Sequence, residues 1–420
     1  MTIAREQLKN STEKLVGEKS NLQTDNKSRN LQLPKRREMI KTIAATSLMA
    51  PCALVFGTKL NAESSLPEEK RFSSKLLDFI NEANLPEVSK VVEFNLENQD
   101  MPWTKELFKV KEGQQITFLL DGKWWFSKEH NMWVEPGIVF HAKVSNEDYY
   151  NAGSNTGTMT ASKNGRLTIA RSLGEFKNPK GELSYPEDVY KKGQGYVDGV
   201  AILWEGDALD GLYKLSAQGD ISGIIHREIQ RQVYVPPLPK GWKNIFLFDN
   251  LGLFFQTGPR EISCHTHKNV GILQKDVDVP ITNKLKFTWD WIVEQLPSKL
   301  PETNAGTHDY LSIAIKFDDG QDLTYMWSSS VEKELHFRCP LHGWKEIETH
   351  LVQRSGEKDL NKWLSESRNV EEDYKKTIGG KAKKVVQVWF IANTLFMRGT
   401  GKCKYSNIEF HDGNKKIVVL

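Results

Sequence analysis

The sequence has no GxGxxG, no Walker A loop, no HExxH and no CxxC pair. Those absences remove the usual dinucleotide, nucleoside-phosphate, zinc-protease and dithiol signatures. It also lacks a strong charge of either sign. The 57 basic and 54 acidic residues leave a net +3, so no basic field argues for a nucleic-acid partner. Cysteine is scarce. Of four cysteines, Cys52 lies near the N-terminus and Cys264, Cys339 and Cys403 lie in the second half. None has zinc-site spacing, and without Cys52 the count is odd, which leaves at least one thiol free or intermolecular. No metal ligand and no catalytic residue is therefore assigned from sequence. Tryptophan, by contrast, is plentiful, with 12 residues. Each is a candidate for the core or for stacking on a ligand ring.

Residues 1–35 are polar, rich in Lys, Glu, Asn and Ser, and read as a disordered extension. Residues 36–62 resemble a twin-arginine export segment. Arg36-Arg37 precedes Met39-Ile40-Lys41 and the apolar run TIAATSLMAPCALVFG, with a cleavage point after Ala62. That run is shorter than the roughly 20 residues a membrane helix needs. The mature form is expected to carry no membrane span and to be periplasmic or secreted. Residues 63–87 are a linker containing an amphipathic helix, SSKLLDFINEAN, with a Ser cap and a stop at Pro86.

From residue 88 the pattern changes to strands. VVEFNL, LFKVKEG, QQITFLLDGKWWF and GIVFHAKV alternate apolar and polar residues between Gly- and Asn-rich turns. DGVAILWEGDALDGLY follows in the same series, with no long helical period between them. Residues 88–237 thus read as one β-sandwich and the Pro-rich stretch after it as a boundary. Beyond it, residues 240–420 show a second strand series. Its centre is HDYLSIAIKFDDGQDLTYMWS, two alternating runs around an Asp-Gly turn, which predicts a β-hairpin. Leu311, Ile313 and Ile315 point one way and Ser312, Ala314 and Lys316 the other, as in a strand with one face buried. Trp289 and Trp291 are two apart, so they share a face, and the flanking Phe287 and Val293 favour the core. Cys264 and Cys403, on an early and a late strand, are expected to be near neighbours.

The runs VKEGQ, LDGKWW, WVEPG, NTGTMTASKNGRLTIA and VAILWEGDALDG resemble the small galactose-binding soluble lectins of bacteria. That resemblance implies a jelly-roll sandwich and sugar binding. Asp207 is carried over from the family's calcium loop, with Asp210 as its neighbour. The family's Asn pair is absent, so calcium is optional and no other cofactor is implied. Trp124 and Trp125 are consecutive in one strand, so one is expected in the core and the other, with Trp133, forms a stacking floor. NVGILQKDV, LKFTWDW, the hairpin, ETHLVQRSG, RNVEEDYKK and VWFIANTLFMRGTGKCKYSNIEF resemble a bacterial family known as a domain of unknown function. That family implies a galactose-binding-like β-sandwich and no activity.

The sequence thus predicts an all-β protein with two tandem sandwiches, binding carbohydrate or a cell-envelope glycan without catalysis. The first alternative is a jelly-roll polysaccharide lyase or glycosidase, with Asp309, Glu346 and Glu348 as candidate acids and His308 and His350 beside them. The second is a structural assembly domain. Two further His, His265 and His267, alternate on one strand.

Overall fold

Strand periodicity dominates the chain, and strands dominate what it builds. A computed structural model describes residues 71–129, 131–172, 176–191, 193–234, 236–248, 252–341 and 344–420. The stretches expected to be a disordered extension and a twin-arginine-like export segment with Arg36 and Arg37, together with Cys52 and the expected linker up to residue 70, lie outside the described residues.

The first sandwich follows an amphipathic helix, α1 (Phe72–Ala83). Its strands are β1 (Val88–Glu97), β2 (Lys105–Val110), β3 (Gln115–Ser127), β4 (Met132–Val134), β5 (Phe140–Val144), β6 (Thr156–Thr160), β7 (Gly165–Arg171) and β8 (Gln194–Trp204). One sheet runs β1-β8-β3-β4, with β6 also on β3, and the facing sheet runs β2-β7-β5. Phe94, Phe118 and Phe140 meet between them, with ring centroids 5.4 and 5.0 Å apart. The sheet's other face is covered by α1, α2 (Ala208–Gln218) and α3 (Ile224–Val233), through Leu76, Ile80, Leu119, Ile202, Leu212 and Ile225. The helices α2 and α3 correct the expectation of uninterrupted strands. Asp207 accepts the Asp210 backbone N–H at 3.0 Å, which caps α2 and turns the chain out of β8. Ser73 is not the cap of α1, because Arg71 holds that position. The Ser73 N–H and hydroxyl instead donate to the Asp198 carboxylate, both at 2.8 Å, and moor the helix on β8.

The second sandwich comprises β9 (Trp242–Phe248), β10 (Phe254–Gly258), β11 (Glu261–His267), β12 (Val270–Pro280), β13 (Leu285–Gln295), β14 (Tyr310–Phe317), β15 (Asp322–Ser328), β16 (His336–Arg338), β17 (Glu348–Ser355), β18 (Leu364–Asn369), β19 (Lys384–Asn393), β20 (Thr400–Asp412) and β21 (Lys415–Val418). One sheet runs β10-β11-β20-β13-β18 with β21 on β20; the other runs β16-β17-β15-β14-β19-β12-β9. The predicted hairpin is β14–β15, closed by Lys316 opposite Asp322 and a turn with Gly320 at φ +88°. Trp289 and Trp291 lie in the core between the sheets with Phe287 and Val293. The Trp291 indole N–H donates to Glu366 at 3.0 Å. Cys264 and Cys403 are direct cross-strand partners and both are free thiols. Arg368 bonds Asp373 and Glu334, which pins α4 (Val370–Thr377) to the sandwich.

The hairpin departs from expectation in one respect. Every residue of β14 and β15 is buried, on both faces. Leu311, Ile313 and Ile315 face the inter-sheet core. Tyr310, Ser312, Ala314 and Lys316 face outward and are nonetheless buried. Leu341 and Trp344 line a small cavity with Tyr310, Trp344 lies edge-on to Trp389 at 6.4 Å, and the Lys316 ammonium lies 4.9 Å from the Trp389 ring centre. The two sandwiches belong to one compact unit. Arg398, after β19, donates to the Asn131 carbonyl at 2.9 Å and lies 4.3 Å from the Trp133 ring centre. Among the described residues no helix is long and apolar enough to cross a membrane.

Candidate functional site

The turn after β2, residues 111–114, meets the end of β8 at one edge of the first sandwich. Gly113 adopts φ +83° and Gly206 φ +110°, which lets both turns fold back tightly. The Gln114 side chain accepts from the Lys111 N–H at 2.8 Å, and the Asn164 side chain accepts from the Glu112 N–H at 2.9 Å. Two adjoining clefts open between these turns. One, of about 660 Å³, is lined by Lys109, Lys111, Gln114, Asn164, Arg166 and Glu205 among others. The next, of about 490 Å³, shares Gln114 and Glu205 and adds Glu112, Gln115 and Asp207. The polar part of the lining is amides, carboxylates and cations, the groups that bond hydroxyls, while Val110 and Leu203 give the larger cleft apolar surface as well. It offers no free ring. Trp204, at the back, is fully buried and its indole donates to Thr117 at 2.8 Å.

The residues singled out from sequence fall in three places. Asp207 lines the second cleft; Asp210 sits in the first turn of α2 and donates its N–H to Asp207. Trp124 is fully buried, with the Arg171 guanidinium 4.3 Å from its ring centre. Burial strips water from that guanidinium and pulls its pKa down to about 10. Trp125 and Trp133 are half-buried, tilted rings 6.3 Å apart at the β3–β4 turn. Lys123 and Arg398 lie 4.7 and 4.3 Å from the Trp133 ring centre, so that ring is occupied by cations rather than free as a floor. The expectation that these tryptophans and Asp207 act on one sugar is corrected by the register. Asp207 sits beside Gln115, whose side chain accepts the Ala208 N–H at 2.6 Å, whereas Trp125 pairs with Gln194 at the far end. From Gln115 to Trp125 is roughly 30 Å of extended strand. A single sugar ring cannot reach both.

The residues attached to the enzyme alternative also separate. Glu346 is exposed. The Asp309 carboxylate accepts the Phe396 and Met397 N–H groups at 3.1 and 2.8 Å, and burial raises its pKa to about 7 despite those bonds. One acid is at the surface while Asp309 and Glu348 are buried, so the three do not line one open groove. His265 and His267 lie on the exposed face of β11. His308, Glu348 and His350, however, converge on the outer face of the hairpin sheet, fully or almost fully buried, and Cys339 joins them. Burial lowers the His308 pKa to about 3 and raises the thiol of Cys339 and the phenol of Tyr310. Burial alone would raise Glu348 too, but His350, His308 and Cys339 around it hold the carboxyl below the usual carboxylate range. Sequence reasoning named the two histidines and the glutamate but missed Cys339. The parallel pairing of β15 with β17, which sets Glu348 opposite Asp322 and His350 opposite Thr324, has no local signal in the sequence.

No curated protein matches the chain. A solved structure described as "Structural basis for the promiscuous specificity of the carbohydrate-binding modules from the beta-sandwich super family" aligns with 78% of this chain and 100% of its own, at 9% identity and a TM-score of 0.21. Salicylate 1,2-dioxygenase from Pseudoaminobacter salicylatoxidans, solved as adducts with gentisate, aligns over 86% and 98% at 6% identity and a TM-score of 0.12. At such scores neither likeness carries a functional argument. Residues 252–409, nearly all of the second sandwich, match the family model described as "Protein of unknown function (DUF3047)".

Proposed function

We propose that this is an exported protein that binds carbohydrate, or a cell-envelope glycan, at the loop edge of its first sandwich, without catalysis. The observation that carries the reading is the pair of adjoining clefts lined by Gln114, Gln115, Asn164, Glu205 and Asp207. A glycan presents many hydroxyls and little apolar surface, and is matched by amides and carboxylates at fixed spacing. Lys109, Lys111 and Arg166 on the larger cleft suit a glycan bearing carboxylates or phosphates. Export rests on Arg36-Arg37 ahead of the apolar run. Asp207 is retained from the sequence reading; Trp124, Trp125 and Trp133 are not part of this site.

An array of envelope and extracellular glycans, probed with the protein with and without calcium, tests the binding. Retention of at least one glycan, lost in a Gln114→Ala, Asp207→Asn double variant, supports it. No retention under either condition removes it. Export is tested separately: Arg36→Lys with Arg37→Lys should leave the precursor in the cytoplasm, and normal export of that variant excludes the twin-arginine route.

A further inference from the structure

The second sandwich holds a buried group that the glycan reading does not use. His308 precedes β14, Cys339 follows β16, and Glu348 and His350 are on β17. Their side chains gather on the outer face of the sheet, with His350 stacked on Phe337 of β16 at 5.1 Å and Leu341 and Trp344 beside Tyr310 and Glu348. His308, Cys339 and His350 each offer one ligand atom, all within 4.8 Å of one another. Cys339 Sγ lies 3.5 Å from His308 Nε2. A tetrahedral zinc ion with bonds of about 2.3 Å to sulfur and 2.05 Å to nitrogen requires an S–N edge of roughly 3.6 Å.

The orientation of each group points the same way. His308 Nδ1 lies 2.5 Å from the Glu302 carbonyl, so that nitrogen carries the proton and Nε2 presents its lone pair to Cys339. His350 is fully buried; its Nδ1 has no hydrogen-bond partner, and its Nε2 has only the Glu348 carboxylate beside it. A buried imidazole with an unmatched nitrogen is costly as an isolated group. Its Nε2 lies 3.3 Å from the Glu348 carboxylate, which also accepts from Tyr310 and Thr324, each at 3.2 Å. Two imidazoles, a thiol and a carboxylate are the donor types that late first-row divalent ions prefer. One thiolate, one carboxylate and one such ion sum to zero charge, the condition under which burying all three is least unfavourable.

We propose that His308, Cys339 and His350, with Glu348 completing the set, form a structural site for a divalent ion of the zinc class. On binding, the Cys339 thiol gives up its proton to solvent and its sulfur becomes a ligand. The ion ties the segment between β16 and β17 to the face of the hairpin sheet. Full burial makes the site structural, since a catalytic zinc keeps a position open to substrate.

The experiment uses the full chain. Protein purified and stripped by chelation is titrated with Co(II) and, in parallel, with Zn(II). We expect about one ion per chain, a thiolate-to-cobalt charge-transfer band with intense tetrahedral visible bands, and a melting temperature that rises on reloading. Cys339→Ser should abolish the charge-transfer band while the circular dichroism stays that of a β-protein. If that variant does not fold, X-ray absorption at the zinc edge of the wild-type protein decides, and one sulfur with two or three N/O neighbours supports the site. Folded wild-type protein that takes up no ion overturns the proposal. So does a charge-transfer band that survives Cys339→Ser, which would place the ion at another cysteine, or an absorption spectrum without sulfur.

Discussion

The two sandwiches use the same strand chemistry to opposite ends. In the first, the charged groups away from the core, Lys109, Lys111, Arg166, Glu205 and Asp207, line open clefts at the loop edge. In the second, His308, Glu348, His350 and Asp322 are all drawn inside, beneath a segment that closes the outer face of the sheet. The first covers its sheet with three helices that seal an apolar face. In the second, Leu341 and Trp344 pack over a mixed face, where Tyr310, Glu348 and Asn393 lie beside Val270, Ile272 and Ile391. Surface charge on a rigid edge can meet ligands; charge sealed under a loop must be neutralised in place. That difference is why the proposed glycan binding is placed at the first sandwich and not at the second.

The largest expected effect sharpens the second half of the comparison. Trp291→Ala empties the centre of the second core and leaves Glu366 without its indole donor. It should cost roughly 3–5 kcal/mol in urea unfolding. A near-neutral result would mean that this core is not what holds the sandwich together. Next comes the seam between helix and sheet in the first sandwich. Ser73→Ala removes a hydroxyl bonded to the buried Asp198 and should cost about 1–3 kcal/mol, with the second sandwich unchanged in hydrogen exchange.

Asp207 separates folding from recognition. Asp207→Asn keeps a side-chain oxygen for the α2 cap, so stability should change little, whereas Asp207→Ala should lose about 1 kcal/mol. Both should weaken glycan retention. If only the alanine variant does so, Asp207 serves the helix and not the ligand. The smallest effect is at the edge of the second sandwich. Burial would raise the pKa of Glu409, but Lys416 at 2.7 Å and Arg260 outweigh it and hold the group at about 2. A depressed folded pKa stabilises above the unfolded value, and that contribution is lost as pH falls from about 4.5 towards 2. Wild-type protein should therefore lose its advantage over Glu409→Gln through that window. A constant difference would remove Glu409 from the acid response.

What could be read in advance follows the same division. The hairpin and the shared face of Trp289 and Trp291 were legible, because strand periodicity fixes which residues share a face; the meeting of Cys264 with Cys403 followed from their places on an early and a late strand, which pair. Asp207 was legible as an acid in a turn, but its distance from Trp125 was not, because that depends on the antiparallel register of β3 with β8. The covered outer face of β14 was not legible either. Alternation distinguishes faces, and it does not say whether a loop thirty residues on will fold back over the polar one. Cys339 stood 31 residues from His308 with no motif between them. Only the parallel β15–β17 pairing and the return of the chain through β16 bring the group together.

Hydrogen–deuterium exchange on the full chain, with and without a glycan retained on the array, tests the division between the sandwiches most directly. The account predicts new protection in peptides covering residues 109–115, 164–166 and 203–207, and none in peptides covering 308–350. Protection centred on Trp125 and Trp133, or on the second sandwich, would contradict it.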